Sequence, residues 1–468
     1  DRLIFDEIFS TFLVNSRIRK SIKKIKKIRK NFDQKQFELI NNKLKFKLTL
    51  DQLKAISDIN NDLKSDSKMF RLLQGDVGSG KTIVSLIACA NVISDNFQSV
   101  IMAPTEILAK QHFQLALNLL DKKINIKLLT SKTNYSDRKN ILDKLKSNEI
   151  NLLIGTHSLF QEKIVYKNLG LIVIDEQHKF GVKQRKKLSD KGGLNCDILV
   201  MSATPIPRTM TMTIYGDMDT SIIKNKPKNR KEIKTLSKIE TKISEIIEFA
   251  KKQIKNKNQI FWVCPLIEES KKIDHQSSIK RFEYLKNIFK NKVGLLHGQL
   301  EQNQKNEILN KFLRKKIDVL VSTTVIEVGI DFPNANLIVI ENSNKFGLSQ
   351  LHQLRGRVGR GNKDAFCILM YKSNLSKNAK KRIEILKSTN DGFKISEEDM
   401  KLRGYGDLLG FKQSGIKSFK IADPIINHDL FVIAENEIKQ IEQESNNFKK
   451  YLPLLKMYDK ADIINDLV

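Results

Sequence analysis

From residue 46 onward, short apolar runs alternate with amphipathic stretches. Arg71–Leu73, Val100–Ala103, Leu152–Ile154, Leu171–Ile174 and Ile198–Met201 are each too short for a helix and are bounded by polar residues or glycine. Such runs fit strands of a parallel sheet that is buried on both faces. Between them, Thr82–Ile93 and Leu108–Leu120 place apolar residues at helical spacing. The alternation predicts a doubly wound α/β lobe. After Lys224–Lys231, a linker carrying Pro227, a second series follows: Ile260–Cys264, Val293–Leu296, Val319–Val321, Leu337–Ile340 and Phe366–Met370. The fold class is thus α/β, with two doubly wound parallel-sheet lobes.

The flanks read as helical. In residues 1–45, Ile18, Ile22, Ile25 and Phe32 recur at helical spacing within and just after a basic run, Arg17–Lys30. That run is read as an ordinary helix, its Ile stripe packed on the next domain and its Lys in water. A basic face touching nucleic acid or membrane is the alternative. After Leu375 the chain turns helical, carries a Gly-punctuated loop at Arg403–Gly415, and continues as helix toward Val468. The expected boundaries are a helical linker over 1–45, a first lobe over 46–225, a second over 226–375, and a helical C-terminal region over 376–468.

Composition narrows the partners. At 468 residues the chain exceeds one typical domain. Lys and Arg number 83 against 53 Asp and Glu, a net charge of +30. That surplus favours an acidic partner such as nucleic acid. An abundance of Lys, Asn and Ile also fits AT-rich coding bias, which makes part of the surplus a solvated coat. Cys89, Cys196, Cys264 and Cys367 lie far apart, without metal-ligand spacing. They are expected to be core residues in a reducing compartment. No apolar run approaches the roughly 20 residues that span a bilayer, and signal and lipidation motifs are absent. Residue 1 is Asp, so an N-terminal portion is expected to be missing or processed away.

Gly75, Asp76, Val77, Gly78, Ser79, Gly80, Lys81 and Thr82 spell G-x-x-x-x-G-K-T between a predicted strand and a predicted helix. Glycines let backbone N–H groups approach phosphate oxygens, and a helix N-terminus adds a positive dipole. Lys81 is assigned to the β- and γ-phosphates of ATP and Thr82 to Mg²⁺. The alternative, a Gly-rich turn with a solvated Lys, does not require this strand–loop–helix context. Asp175 and Glu176 follow Leu171–Ile174 at a strand's C-terminal end, where open α/β sheets bind ligands. Asp175 would hold Mg²⁺ through its water shell, and Glu176 would orient the attacking water. Phe46 and Gln52 offer an apolar face and an amide for adenine; a Thr49-capped helix containing Gln52 is compatible with that role. Gln353, Arg355, Arg357 and Arg360 cluster in QLHQLRGRVGRG, in a chain that otherwise favours Lys. Guanidinium forks onto phosphate as ammonium cannot. Arg355, Arg357 and Arg360 are therefore candidate arginine fingers for a nucleotide held by the first lobe. A generic basic nucleic-acid patch is the alternative, and Arg355 fits it.

The ordered motifs resemble a superfamily-two helicase motor. GDVGSGKT is similar to motif I, APTEIL to Ia, GTHSLF to Ib, IDEQH to II and SATPIPRT to III. FWVCPLIEES, STTVIEVGIDFPNA and QLHQLRGRVGRG resemble motifs IV, V and VI. VIDEQHKFGVKQR and NDGFKISEEDMKLRGYGDLLGFKQSG resemble the RecG family of bacterial branched-DNA translocases, the latter string its TRG motif. The resemblance implies two RecA-like lobes and a helical TRG element. It implies ATP-dependent helicase or double-strand translocase activity on stalled forks and Holliday junctions, in recombination and repair. ATP and Mg²⁺ are the implied cofactors. Thr105, Thr156, His157, Thr323 and Thr324 are assigned to the DNA path, gripping phosphates without reading sequence. Each such hydroxyl also suits a simple cap or turn. Ser202 and Thr204 would link ATP state to DNA grip, Asp331 would lie near the ribose, Arg357 and Arg360 would take the finger roles with Gln353 in support, and Arg403 and Gln413 would transmit closure. Residues 1–45 resemble only the linker that follows the family's N-terminal wedge domain.

Three alternatives differ in kind. A transcription–repair coupling factor shares the motor and the TRG element. An RNA helicase more often carries DEAD or DEAH where this chain has DEQH. A nucleic-acid binder without translocation would not need Lys81, Asp175, Glu176, Arg357 and Arg360 together. The expected setting is cytoplasmic and nucleoid-associated, as a monomer without membrane contact, with single-stranded-DNA-binding protein a candidate partner.

Overall fold

The structure is a computed structural model. It describes residues 1–160, 164–176, 193–203, 205, 211, 216–227, 231–265, 271–323, 332–361, 363–403, 419–424, 426–443 and 448–458. Contacts divide the chain into two compact units, Asp1–Asn225 with Arg403–Val468, and Lys226–Leu402.

In the first unit, helices α1 (Arg2–Lys24), α2 (Lys35–Lys43) and α3 (Leu50–Lys64) precede the sheet. Then come β1 (Phe70–Gly75), α4 (Lys81–Ser94), β2 (Gln98–Met102), α5 (Glu106–Leu119), β3 (Ile126–Leu129) and α6 (Tyr135–Lys146). The sheet is completed by β4 (Leu152–Gly155), β5 (Leu169–Ile174), β6 (Asp197–Ser202) and β7 (Asp219–Ile223). Its order is β3-β4-β2-β5-β6-β1-β7, with every pairing parallel. Helix α4 is apolar nearly all round because the sheet covers one side while α2 and α3 pack against it.

The second unit runs β8 (Ile233–Ile239), α7 (Ile243–Lys255), β9 (Gln259–Val263), α8 (Lys271–Phe289), β10 (Val293–Leu296), α9 (Gln302–Leu313) and β11 (Val319–Ser322). It continues with β12 (Ala335–Ile340), α10 (Leu348–Arg355), β13 (Ala365–Tyr371), α11 (Lys377–Ser388) and α12 (Gly392–Arg403). Its sheet, again all parallel, is ordered β10-β11-β9-β12-β13-β8. The C-terminal helices of the first unit are α13 (His428–Gln443) and α14 (Leu452–Met457).

Ten strands coincide with the apolar runs of the sequence. Strands β3, β7 and β8 do not; each lies at a sheet edge, a place that the apolar β10 shares. Edge strands keep one side open, so IKLL and DTSII mix buried and exposed positions and IKTLSKI is nowhere fully buried, instead of forming a continuous apolar run.

The N-terminal segment departs from its expectation. Helix α1 stops at Lys24, and an extended stretch separates it from α2. Phe9, Phe12 and Leu13 of α1 pack with Phe431, Ala434 and Leu455 of the C-terminal helices. The buried stripe therefore lies mainly N-terminal to the Ile18–Ile25 positions, of which Ile18 packs at its margin, and its partners are the C-terminal helices. Glu7, itself buried, accepts hydrogen bonds from the amides of Lys420, Ile421 and Ala422 and so caps that junction.

Candidate nucleotide and nucleic-acid site

The parallel register lines up the predicted motifs along the carboxyl ends of the first sheet. Gln74 of β1 lies opposite Ser202 of β6, and Ile174 of β5 opposite Val200 of β6. Met102 of β2 pairs with Ile174 on one side and Gly155 of β4 on the other. Reading across β1, β6, β5, β2 and β4, the chain places the phosphate loop, Ser202, Asp175–Glu176, Thr105 and Thr156 in one row. A row of this kind is where open α/β sheets bind ligands.

The phosphate loop is built for close backbone approach. Gly78 and Gly80 have φ of 75° and 87°, a left-handed region open to glycine at little cost. A Cβ on Gly80 would stand 2.2 Å from Gln52 Nε2. Gly80 is the N-cap of α4 and contributes no side-chain cap, so the first turn presents its N–H groups to the loop. Asp76 and Val77 are buried, with the Val77 amide donating to Asp76 Oδ1 at 2.6 Å. Lys81 Nζ donates to the carbonyls of Gly75 at 2.7 Å and Asp76 at 3.1 Å, folded back onto the loop it belongs to. The Ser79 hydroxyl is buried without a hydrogen-bond partner among the described residues. A buried unpartnered hydroxyl able to donate, glycines in the left-handed region and a bare helix start fit a phosphate group.

Gln52 is fully buried and faces inward. Its Nε2 donates to the Ser79 carbonyl at 2.8 Å, and its Oε1 accepts from the Thr49 amide at 2.8 Å in a capping box. It braces the glycine-rich loop through the Ser79 carbonyl. Phe46 is half-buried, in the segment leading to Thr49.

Asp175 is buried, and His112 Nε2 lies 2.8 Å from its Oδ2. Burial pushes this carboxyl up, but the His112 hydrogen bond and charge, Lys81 and the Glu176 amide outweigh it and hold it below the usual carboxylate range. His112 sits on α5 with no motif spacing to mark it, and sequence reasoning missed it. Glu176 adopts φ 53°, a strained backbone for a residue with a side chain, at the carboxyl end of β5. Among the described residues no group of three or more His, Cys, Asp or Glu could hold a metal ion by itself. Thr82 and Asp175 would give a divalent cation few protein oxygens, which suits Mg²⁺ shared with phosphates and water.

Thr105 caps α5, its hydroxyl accepting from the Leu108 amide at 3.4 Å. Thr156 is buried, and Leu159 donates to its carbonyl. His157 opens a short 3₁₀ turn. In the second unit Thr323, just after β11, buries its Oγ1 without a hydrogen-bond partner among the described residues. Gln353 is half-buried on α10; Arg357 is buried just beyond it, and the Nε of the half-buried Arg360 donates to the Gly356 carbonyl at 3.4 Å. Thr204, Thr324, Asp331 and Gln413 lie outside the described residues, as do the side chains of His157 and Arg403.

Arg355 requires a correction. It is buried, and its guanidinium donates to the carbonyls of Leu386 at 2.7 Å and Thr389 at 2.9 Å, and to Thr235 Oγ1 at 3.3 Å. It ties the end of α10 to the end of α11 and is not part of a nucleic-acid patch. Asp399 of α12 fixes the other end of α10, accepting from the amides of Leu348 and Ser349 and from the Ser349 hydroxyl.

Family models match in the same order as the lobes. A DEAD/DEAH box helicase domain matches residues 49–213 and a helicase conserved C-terminal domain residues 239–362. The C-terminal part of domain 3 of ATP-dependent DNA helicase RecG matches residues 389–455. The ATP-dependent DNA helicase RecG of Thermotoga maritima is 43% identical over 460 residues, which are 98% of this chain and 59% of the relative. That of Bacillus subtilis is 46% identical over 405 residues, 86% of this chain and again 59% of the relative. A solved structure of RecG bound to a three-way DNA junction superposes with a TM-score of 0.76 at 41% identity, covering 92% of this chain and 56% of that one. Three domain matches in order, with this identity across nearly the whole chain, show strong homology to the proteins named ATP-dependent DNA helicase RecG, and the chain spans 59% of the length of these two relatives.

Proposed function

We propose that this chain is an ATP-hydrolysing motor that moves on duplex DNA and acts on branched DNA. The observation that carries the reading is the row along the first sheet. It sets a phosphate loop, an acidic pair and two threonines of the expected DNA path on adjacent strands of one rigid sheet. A shift at the nucleotide end is then felt at the DNA end through backbone and not through a flexible tether.

On this reading Gly75 to Thr82 cradle the phosphates of ATP, with Lys81 turning from its carbonyl partners to the γ-phosphate. Thr82 and Asp175 hold Mg²⁺, which would supply charge neutralisation on the phosphates. Glu176 orients water. Phe46 and Gln52 face the base, Asp331 the ribose, and Gln353, Arg357 and Arg360 act on the transferring phosphate. Thr105, Thr156, His157, Thr323 and Thr324 grip DNA phosphates, Ser202 and Thr204 relay nucleotide state, and Arg403 and Gln413 pass it to the TRG element. Branched DNA is favoured over other substrates because the relatives are named DNA helicases and one is solved on a three-way junction. A cytoplasmic, nucleoid-associated monomer, with single-stranded-DNA-binding protein as a candidate partner, completes the proposal.

The test compares ATPase stimulation by branched DNA, linear duplex and RNA, with and without an added wedge domain. Stimulation by duplex and branched DNA, strongest on branches when the wedge is present, is the expected result. Stimulation by RNA alone would overturn it.

A further inference from the structure

His112 is a buried histidine for which the motifs give no role. It lies seven residues beyond Thr105, two turns along α5 and roughly 10 Å from the helix start. Its side chain is 7% exposed, and Nε2 reaches Asp175 Oδ2 at 2.8 Å. An ionised carboxylate only accepts, so Nε2 carries the proton and donates. One oxygen of Asp175 is thereby fixed, which sets the direction in which the other points.

We propose that His112 is a positioning residue that orients the Asp175 carboxylate for the water shell of Mg²⁺ and ties that carboxylate to the helix capped by Thr105. The proposal rests on the assignment of Asp175 to the metal. Carboxylates beside a metal are held by outer hydrogen bonds, and loss of such a partner typically weakens metal binding about 10–100-fold. The tie also has a mechanical side. Helix α5 starts at a residue of the expected DNA path and reaches Asp175 with His112, so a shift of the helix on DNA would reorient the carboxylate. A buried histidine satisfied only for packing would produce neither effect.

The experiment measures binding of a fluorescent ATP analogue to the full chain as a function of Mg²⁺ concentration. It is done for wild type, His112→Ala, His112→Gln and Asp175→Asn, with thermal melts alongside. His112→Ala is expected to need at least about 10-fold more Mg²⁺ for half-saturation, with Mg²⁺-free nucleotide binding unchanged. His112→Gln, which places an amide N–H near the Nε2 position, should recover most of that loss. DNA should stimulate ATP turnover less in His112→Ala than in wild type at saturating Mg²⁺. A Mg²⁺ dependence unchanged in His112→Ala while Asp175→Asn shifts it would overturn the positioning role alone. If Asp175→Asn shifts nothing, the metal assignment itself fails. If His112→Ala melts early, His112→Leu, which keeps bulk and lacks an N–H, replaces it: a stable Leu variant that needs more Mg²⁺ while His112→Gln stays near wild type supports the role, and a stable Leu variant with wild-type Mg²⁺ dependence refutes it.

Discussion

Lys27 Nζ lies 2.6 Å from Asp197 Oδ2, and neither side chain exposes any surface. Lys30 approaches the same oxygen at 2.7 Å, also fully buried, while Asp197 Oδ1 accepts from the Met69 amide. Two lysines of the basic run Arg17–Lys30 therefore lie in the interior. Their ammonium groups also donate to the carbonyls of Asp62 and Asn195, so the extended stretch after α1 is fastened to the amino end of β6. The run serves as a clasp at this end, and this part of the +30 charge is unavailable to nucleic acid.

Breaking that clasp on one side strands buried charge. Asp197→Ala leaves two ammonium groups uncompensated and is expected to destabilise the first unit by about 3–5 kcal/mol. Denaturant unfolding of the variant against wild type measures it. A loss below about 1 kcal/mol would mean that water reaches the site.

Lys81→Ala should lower ATP turnover by more than about 100-fold, with duplex DNA binding largely intact. Steady-state ATPase and a filter-binding assay check the pair of outcomes. Turnover at the wild-type rate would remove the phosphate loop from the mechanism.

Glu176→Gln keeps the side chain's shape and removes its charge. The variant should bind ATP as wild type does and hydrolyse it about 100-fold or more slowly, the usual effect of losing a general base. Single-turnover hydrolysis separates this from a binding defect.

Gly80→Ala would set a Cβ 2.2 Å from Gln52 Nε2 on a backbone of φ 87°. It should weaken ATP binding and destabilise the loop by about 1–3 kcal/mol. Relief of the ATP-binding loss in Gly80→Ala/Gln52→Ala would identify the clash as the cause.

All four cysteines are buried, and burial pushes the thiols of Cys89, Cys196 and Cys367 up to about 12. Native protein at pH 8 should not react with a thiol reagent over minutes, whereas denatured protein should titrate all four. Rapid native labelling would show that the cores open locally.

The sequence by itself determined the two parallel sheets, because strands buried on both faces must be written as unbroken apolar runs, as at Leu171–Ile174 and Leu337–Ile340. It also marked the glycine-rich strand–loop–helix of Gly75–Thr82 and the Asp175–Glu176 pair at a strand end, since both patterns are made of neighbours in the chain. Tertiary structure alone decided what depends on residues distant in sequence. Edge strands such as Asp219–Ile223 carry mixed patterns that only their place in the sheet explains. Arg355 belongs to the same cluster as Arg357 and Arg360 in the letters, yet the carbonyls of Leu386 and Thr389 make it a structural tie. His112 meets Asp175 from 63 residues away, and Lys27 meets Asp197 from 170, because strand order and not sequence distance brings them together. Local patterns dictate what a segment is; the sheet's crossovers dictate what it faces.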